Sequence, residues 1–526
     1  MSLHFRFLVR TLVAASAALA LFLPAAADAP VPNHVPTWAH DGPNGGQTDP
    51  GTTSTSTNPT SQRDIWTWLS YAETGTIGRP TKAYFDCHAA GSPCKLVIYY
   101  DPGRVYSACP GGIDKKFVTQ NTGEDFYLHD SASVSPSNRT TGSQAKWCNG
   151  SPILYPNWYN PAVGQWYART LLWQFPENPN TMMFQDDSSA ECLGRFRKGE
   201  NFVPYELQGK GNCEQSIVMG LRTVADQMRW QDGMRVPVIA NGFALHHYQR
   251  MANDASIALA APGSNIVGGL SERQITRGTT YEPRGVFADV NTASLAYALN
   301  SDALYVLLGN TKAAVGSTQP CSDSPHNLED GCGALQMRRN LLAAFWLAYK
   351  EEHTVLFETG IRDDPHLLSV FPEASIYPSN PIQALKPFNS NVRTTNGSGC
   401  GPSPGSGGIQ SFAVACGTLN DGKTPAGVYV REFRECYNFG QLIGAGWCAL
   451  VANTTNRAVT ADGTWFTKGY THTMVVGSGP QNGADVLTAG CGDGRCPKSA
   501  IDPLGAPFVA GETKVPAFDA LFLFHS

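Results

Sequence analysis

Polar side chains, most of them carboxylic acids, recur where short apolar runs of this chain end. They are Asp101, His129, Asp130, Asp186, Asp187, Asn241, Glu272, Asn310 and Glu358. Two facing carboxyl groups can cleave a glycosidic bond, because one protonates the leaving oxygen while the other attacks carbon or activates water. A single acid in such a place can also cap a helix, so the accumulation is more informative than any one member.

Other chemistries find less support in the residues. No H-E-x-x-H motif of a zinc protease occurs. The adjacent His246 and His247 point in different directions and have no partner four residues along, which favours a packed or solvent-facing role over a metal site. We therefore expect neither a metal nor another cofactor.

The apolar runs that carry these residues alternate with segments of helical period between residues 63 and 388. They cover residues 96–101, 126–130, 182–187, 236–241, 266–272, 304–310 and 354–358. Runs that are apolar on both faces are typical of buried parallel strands. With one more strand at either end, such as 374–377, the count predicts a (β/α)8 TIM barrel, whose strand C-termini form the active face. A doubly wound open sheet is the alternative, but no Gly-rich phosphate turn follows an early strand.

A second domain is predicted over residues 389–526. Gly, Ser and Pro dominate residues 396–408, and short alternating runs follow at 428–433 and 447–453. Short strands with Gly turns and no helical period predict an antiparallel β-sandwich.

The amino-acid composition and the net charge limit the kinds of partner that we expect. Of 526 residues, 42% are hydrophobic and 15% charged, and 38 Lys and Arg against 43 Asp and Glu give a formal net charge of −5. A disordered chain would have few apolar residues and a high net charge, and a nucleic-acid-binding domain would be strongly basic. Global disorder is therefore excluded, and no nucleic-acid partner is expected.

The N-terminal residues are predicted to be an export signal and a linker. Arg6 and Arg10 precede an apolar stretch at 12–23, and small residues suited to cleavage follow at 25–27. The stretch has about 12 residues where a membrane span needs about 20, so residues 1–27 predict a signal peptide rather than an anchor. Residues 28–62, rich in Pro, Gly, Ser and Thr, predict a flexible linker. We expect a secreted or periplasmic protein without a membrane partner.

The 14 cysteines all follow the predicted cleavage point. An even number in an exported chain indicates disulfides, because thiols do not persist in an oxidising compartment. Sequence neighbours give the expected pairs: Cys87 with Cys94, Cys109 with Cys148, Cys192 with Cys213, Cys321 with Cys332, Cys400 with Cys416, Cys436 with Cys448, and Cys491 with Cys496.

Three of the strand ends resemble a known group, the glycoside-hydrolase-like TIM-barrel proteins with a C-terminal β domain. The group has hydrophobic-Asp-Asp, Asn-Gly and Gly…Glu at successive strand ends. The matching residues are Met182-Met183-Phe184-Gln185-Asp186-Asp187, Val238-Ile239-Ala240-Asn241-Gly242 and Ile266-Val267-Gly268-Gly269-Leu270-Ser271-Glu272. Residues 338–349, 371–373, 429–433 and 450–453 are similar to later parts of the group. Gln185 departs from the pattern, which more often has an apolar residue there.

The resemblance implies Asp186 as one catalytic carboxylate and Glu272 as the other. Glu272 would be the general acid, with its pKa raised by a partly apolar wall, and Asp186 the ionised nucleophile or base, although the roles could be exchanged. The residues expected to bind a sugar are Asp101, His129, Asp187, Asn241, Glu358, Trp158 and Tyr248, the aromatic ones by stacking.

The expected activity is hydrolysis of a glycosidic bond in a poly- or oligosaccharide. Two alternatives stay open: a non-catalytic carbohydrate-binding or surface protein on a barrel scaffold, and a metal-assisted hydrolase of another bond. The separation of the Asp186 and Glu272 carboxyl groups distinguishes mechanisms, since about 5–5.5 Å predicts retention and about 6.5–9.5 Å inversion.

Overall fold

The structure of the chain is a computed structural model. It describes residues 37–40, 66–69, 95–106, 112–142, 153–173, 177, 181–192, 194–199, 202–243, 261–271, 276–277, 280–281, 283–309, 334–358, 376–385, 412–418, 425–438, 441–476 and 501–526. The signal-peptide prediction for residues 1–27 lies outside this set.

A closed parallel barrel occupies the first part of the chain. The strands there are β1 Thr37–His40, β2 Trp66–Leu69, β3 Lys95–Tyr100, β4 Val105–Tyr106, β5 Ile153–Leu154, β6 Thr181–Gln185, β7 Val238–Asn241, β8 Ile266–Ser271, β9 Thr276–Arg277, β10 Thr280–Tyr281, β11 Leu304–Gly309 and β12 Thr354–Glu358. Strands β1, β2, β3, β6, β7, β8, β11 and β12 pair in that order, all parallel. Since β1 also pairs with β12, the sheet closes on itself. The short strands β4 and β5, and β9 and β10, form antiparallel pairs outside it.

Helices lie between the barrel strands. They are α1 Gly112–Gln120, α2 Pro161–Tyr167, α3 Cys213–Ala225, α4 Pro283–Leu299 and α5 Ala334–Ala348, with a π-helical turn at Ala168–Leu172 and 3-10 turns at Glu124–Phe126, Pro136–Asn138 and Tyr205–Leu207. Local sequence explains their starts. The Asn160 side chain caps α2 ahead of Pro161, and Asn212 and Gln215 form a capping box at the start of α3.

Alternation along the barrel strands separates two apolar clusters. One set packs inside the barrel: Val97, Met182, Phe184, Ile239, Leu270, Val306 and Val355. The intervening residues, among them Ile98, Met183, Val238, Ala240 and Tyr305, pack outward in the cluster that contains the helices. Successive side chains of a strand point to opposite faces, so each strand contributes to both clusters.

The structure corrects three sequence predictions about the strands. The run at 126–130 is not a barrel strand; it follows a 3-10 turn and makes only single bridges, Tyr127 with Pro156 and His129 with Arg139. Its apolar residues are buried outside the barrel, which periodicity alone cannot distinguish from a strand. The predicted last strand near 374–377 belongs to the second sheet, and β1 lies inside the predicted 28–62 linker. A four-residue strand within a Pro- and Gly-rich stretch is too short to show the hydrophobic periodicity of a strand.

The second sheet is antiparallel. Its strands are β13 Ile376–Pro381, β14 Ala413–Thr418, β15 Pro425–Asn438, β16 Gln441–Leu442, β17 Cys448–Asn453, β19 His472–Val476, β20 Ile501–Pro507 and β22 Asp519–Phe524, while β18 Val459–Thr460 and β21 Lys514–Val515 form a separate ribbon near the 3-10 turn Gly463–Trp465. The order is β13-β15-β17-β22-β19-β20, with β14 and β16 paired to β15.

The predicted sandwich is replaced, among the described residues, by this single large sheet and the ribbon. One face of the sheet packs on a barrel helix: the α5 residue Trp346 lies edge-on to Phe433 and Phe522, with ring centroids 5.2 and 4.9 Å apart. Because α5 buries that face, no second sheet is needed to cover it.

Two polar contacts also join α5 to the second sheet. Arg431 is buried and donates from Nη1 to the carbonyl oxygens of Trp346 and Leu347, at 2.9 and 2.8 Å, and from Nη2 to Gln383 at 3.3 Å. Burial lowers the pKa of Arg431 to about 9. The guanidinium therefore satisfies carbonyl groups at the C-terminal end of α5, where a positive charge is favourable. Arg339, in the N-terminal half of α5, forms a two-pronged ion pair with Asp519.

Two of the expected disulfides, Cys192–Cys213 and Cys436–Cys448, are confirmed. Cys416 is also disulfide-bonded, and the other predicted pairs lie outside the described residues. Among the described helices, none has both the length and the apolar character to cross a membrane.

Replacing Arg431 by Ala is expected to lower the free energy of unfolding by about 3 kcal/mol, because three carbonyl oxygens, two of them buried, each lose a hydrogen bond worth about 1 kcal/mol. Urea unfolding followed by tryptophan fluorescence measures this. Arg434→Ala is the matched control, since Arg434 is exposed on the same strand. Equal unfolding midpoints for the two variants would contradict the assigned role of Arg431.

Candidate active site

Asp186 is the first residue after β6, at the C-terminal end of that barrel strand. Its carboxylate accepts three hydrogen bonds. Asn241 Nδ2 and the backbone N–H of Asp187 donate to Oδ1, at 2.6 and 2.8 Å, and the Tyr99 hydroxyl donates to Oδ2 at 2.7 Å. Three donors from three different residues therefore hold this carboxyl group in one orientation.

The barrel register explains why these side chains meet. Phe184 and Ile239 pack inside the barrel, so the residues two positions later, Asp186 and Asn241, continue the same inward face at its C-terminal end. Tyr99 on β3 packs against the same interior cluster. Strands β3, β6 and β7 are consecutive around the barrel, and the structure thereby brings together two predicted site residues and a tyrosine.

A charged group lies beside this carboxylate. Arg104 Nε is paired with Asp187 Oδ2 and lies 3.6 Å from Asp101 Oδ2. The other oxygen of Asp101 accepts the backbone N–H of Gly103 at 2.9 Å, and Asp101 is only 6% exposed. Asp101 therefore anchors the loop after β3 and Arg104, and its role in binding a sugar stays a prediction.

Burial and neighbouring charges shift the pKa values of Asp101, Arg104 and Tyr99. Burial, and then the negative charge of Asp187, raise the pKa of Asp101 well above its usual range. Burial lowers the pKa of Arg104, but the carboxylates of Asp187 and Asp101 outweigh it and the net pKa is raised. Burial, and then the charge of Asp186, raise the pKa of Tyr99 well above 10, so its hydroxyl stays a neutral donor.

Asp187 has a left-handed backbone, with φ 51°. This conformation is uncommon for residues other than glycine and is held here by its contacts. Arg195 donates from Nη2 to the carbonyl oxygens of Asp187 and Gly103, at 3.1 and 3.2 Å, and from Nη1 to Ser189 at 2.6 Å. Arg195 thus ties the loop after β6 to the loop after β3. Strained backbone of this kind is concentrated at functional sites.

Gln185 supports the site from the outer face of the barrel. It is fully buried, its Oε1 accepts the Tyr100 hydroxyl, and its Nε2 donates to Ser188 Oγ at 3.0 Å. The polar residue that departs from the family pattern therefore binds β3 and the turn that follows Asp186.

Two predicted sugar-binding residues are structural instead. His129 is buried, with its Nδ1 2.6 Å from Glu206 and its Nε2 3.2 Å from Glu124, outside the barrel. Trp158 is fully buried and donates its indole N–H to the Pro102 carbonyl at 2.8 Å, so its ring is not available to stack on a sugar. The His129 prediction was wrong because the run at 126–130 is not a barrel strand, and the Trp158 prediction because a buried packing position was interpreted as an exposed aromatic residue near a loop.

Four other predicted site residues have side chains outside the described part of the chain. Glu272, Tyr248 and Asn310 lie outside the described residues. Glu358 is the last residue of β12 and pairs with Gly309 through the backbone, while its side chain lies outside the described part.

Sequence reasoning missed three residues of this site. Tyr99 could have been found, because it precedes Asp101 by two residues on one strand face. Arg104 and Arg195 could not, since their carbonyl and carboxylate partners are as many as 92 residues away.

The described residues also bear on two other kinds of ligand, a metal ion and a nucleotide phosphate. Within them, no three His, Cys, Asp or Glu side chains lie together as metal ligands. A G-x-x-x-x-G-K-T string at 417–424 begins with the last two residues of β14 and ends just before β15, and these strands pair antiparallel. A phosphate-binding loop of that sequence connects a strand to a helix, so this string lacks the required context.

No family model and no curated protein matches the sequence. Several solved structures with a similar fold are glycoside hydrolases. They include an alpha-amylase from Geobacillus thermoleovorans complexed with acarbose, at TM-score 0.35 and 10% identity over 94% of this chain and 99% of that one. An alpha-amylase from Lactobacillus plantarum has TM-score 0.38 and 11% identity over 93% and 98%. A GH31 alpha-xylosidase from Xanthomonas citri has TM-score 0.38 and 10% identity over 94% of this chain and 47% of that one. Such distant likeness carries no argument about the reaction.

Close backbone approach on both sides of the Asp186 turn gives a stability prediction. A Cβ at Gly103 would lie 2.4 Å from the Asp187 carbonyl oxygen, and one at Gly242 would lie 2.5 Å from backbone atoms of Ser188 and Ser189. Gly103→Ala and Gly242→Ala are each expected to cost about 1–3 kcal/mol by overpacking. Thermal unfolding measures this against Gly469→Ala, where a Cβ meets no atom within 4 Å. Unfolding temperatures equal to that control would refute the close approach.

Asp114 on α1 gives a pH prediction. Its Oδ2 accepts the Tyr106 backbone N–H at 3.0 Å, and burial raises its pKa to about 6. The folded protein then retains a proton between about pH 4 and 6 that the unfolded chain has lost, so this group reduces stability as pH rises through that window. Asp114→Asn keeps the acceptor and removes the charge.

Asp114→Asn is therefore expected to match the wild type at pH 4 and to be about 2 kcal/mol more stable at pH 7. Urea unfolding at the two pH values measures the difference. Asp232→Asn is the control, since Asp232 is exposed and also accepts a backbone N–H. A variant less stable than wild type at pH 7 would show that the ionised carboxylate is favourable.

Proposed function

We propose that this protein is a secreted glycoside hydrolase that cleaves a poly- or oligosaccharide, with Asp186 as one catalytic carboxylate. The observation that carries the proposal is the setting of Asp186: at the C-terminal end of a barrel strand, with donors from two neighbouring strands on its oxygens. Active sites of parallel β/α barrels lie at this end. A carboxylate held in one orientation is what attack on an anomeric carbon, or proton removal from water, requires.

The second carboxylate in this proposal is Glu272, which follows β8. It would protonate the leaving oxygen while the C–O bond breaks. Asp186 would either form a bond to the anomeric carbon, which water later hydrolyses, or remove a proton from the attacking water. The choice between these depends on the distance between the two carboxyl groups.

Charged residues beside Asp186 supply the contacts for sugar hydroxyls in this proposal. The side chains of Asp187 and Arg104 are each about one-third exposed, at 30% and 33%, and pair with one another. A partly exposed carboxylate and guanidinium suit sugar hydroxyl groups, which both donate and accept hydrogen bonds. Asn241, Tyr248 and Glu358 complete the proposed binding residues.

Export is part of the proposal and is supported by the disulfides Cys192–Cys213 and Cys436–Cys448. Disulfides persist in oxidising compartments. Cys192–Cys213 also links the loop that follows the Asp186 turn to the first residue of α3, so oxidation would stabilise the site itself.

Asp186→Asn is expected to reduce hydrolysis at least about 1,000-fold, because the amide can neither attack nor accept a proton. The mature protein is first screened against a panel of polysaccharides, and the variant is assayed on the best substrate. Asp130→Asn is the matched control: Asp130 also follows an apolar run, but it pairs with Lys198 away from Asp186. Glu272→Gln is assayed in parallel.

Product stereochemistry, followed by NMR, distinguishes the two roles of Asp186. If Asp186 is the nucleophile, the wild type retains anomeric configuration, and azide restores turnover of Asp186→Ala by forming a glycosyl azide. Full activity of Asp186→Asn would exclude this carboxylate from the reaction. Absence of hydrolysis across the panel, with sugar binding retained, would favour the non-catalytic binding protein.

A further inference from the structure

The two oxygens of Asp186 have different numbers of donors. Oδ1 accepts from Asn241 and from the Asp187 backbone, whereas Oδ2 accepts from the Tyr99 hydroxyl. Each carboxylate oxygen has two acceptor sites, four in all. Donors from the described residues occupy both sites of Oδ1 and one site of Oδ2. The site that remains for a reacting group is therefore on Oδ2, next to the Tyr99 hydroxyl.

The position of that hydroxyl is determined by the barrel. Tyr99 pairs with Phe184 in the parallel register of β3 and β6, and their ring centroids are 5.9 Å apart. Asp186 follows Phe184 by two residues on the same face, so the strand register sets the distance from the hydroxyl to Oδ2. Tyr99 belongs to β3, and its acceptor, Asp186, directly follows the neighbouring strand β6.

We infer that Tyr99 is the positioning residue of Asp186: its hydroxyl holds Oδ2 in place and stabilises the ionised carboxylate at the oxygen that remains open to a reacting atom. This inference rests on the proposed function for the reaction that it serves. The hydrogen bond itself can be tested without any substrate.

The physical consequence is a change in proton affinity. A donor to a carboxylate favours the charged form, so its removal makes the carboxylate take up a proton at higher pH. Tyr99 remains a donor throughout, because burial and the charge of Asp186 both oppose loss of its own proton. A purely structural tyrosine that packs on Phe184 would leave the titration of Asp186 unchanged.

The test is Tyr99→Phe in the full mature chain, with carboxyl carbons labelled with ¹³C and the Asp186 signal assigned by comparison with Asp186→Asn. The phenylalanine keeps the ring contact with Phe184 and removes only the hydroxyl. The titration midpoint of Asp186 is expected to rise by about one pH unit, a tenfold gain in proton affinity. The acid limb of the pH profile of kcat/KM should move upward by the same amount.

Tyr349→Phe is the matched control. Tyr349 is also buried and donates one hydrogen bond, to Tyr377 at 2.8 Å, where α5 meets the second sheet. It should leave the Asp186 midpoint where it is in the wild type. An unchanged midpoint in Tyr99→Phe, or an equal change in Tyr349→Phe, would overturn the inference. If no sugar is hydrolysed, the proposed function fails, while the midpoint still decides the role of Tyr99.

Discussion

Side chains of a closed parallel barrel must alternate between its interior and its helical shell, and the site depends on this constraint. The barrel interior contains one apolar side chain from each of three consecutive strands: Val97, Phe184 and Ile239. The next inward position on two of those strands is occupied by Asp186 and Asn241, where the apolar interior ends. Because side chains alternate, the apolar inward positions form the core, and the polar inward positions that follow them meet at one end of the barrel.

Residues on the outer face of the barrel and in its loops support the site. Gln185 lies between two inward-facing residues and binds the Tyr100 hydroxyl and Ser188. Arg195 joins the loops that follow β3 and β6, and Gly103 and Gly242 allow backbone to approach the Asp186 turn closely from either side. A carboxylate so enclosed can change its orientation only if neighbouring loops move, which is the preorganisation that catalysis by a carboxylate requires.

The second sheet contributes to the barrel through α5. Arg431 satisfies carbonyl groups near the end of that helix, and Trp346 packs between aromatic residues of the sheet. The sheet therefore acts as part of the shell around the barrel. This contact explains why the described strands form one large sheet where the sequence pattern predicted a sandwich: alternating strands show that two faces exist but not what covers each.

Local pattern by itself determined the parallel strands from 95 to 358, apart from the run at 126–130, and two disulfide pairs between sequence neighbours. It also selected Asp186 and Asn241, because a polar residue that ends a buried strand is visible in the sequence. Tertiary structure alone decided that His129 and Trp158 are buried and that Arg104 belongs to the site. Those outcomes depend on partners tens of residues away, such as Glu206 for His129 and Asp187 for Arg104. Periodicity reports which face of an element is apolar, whereas the partner of a polar group is set by how elements pack.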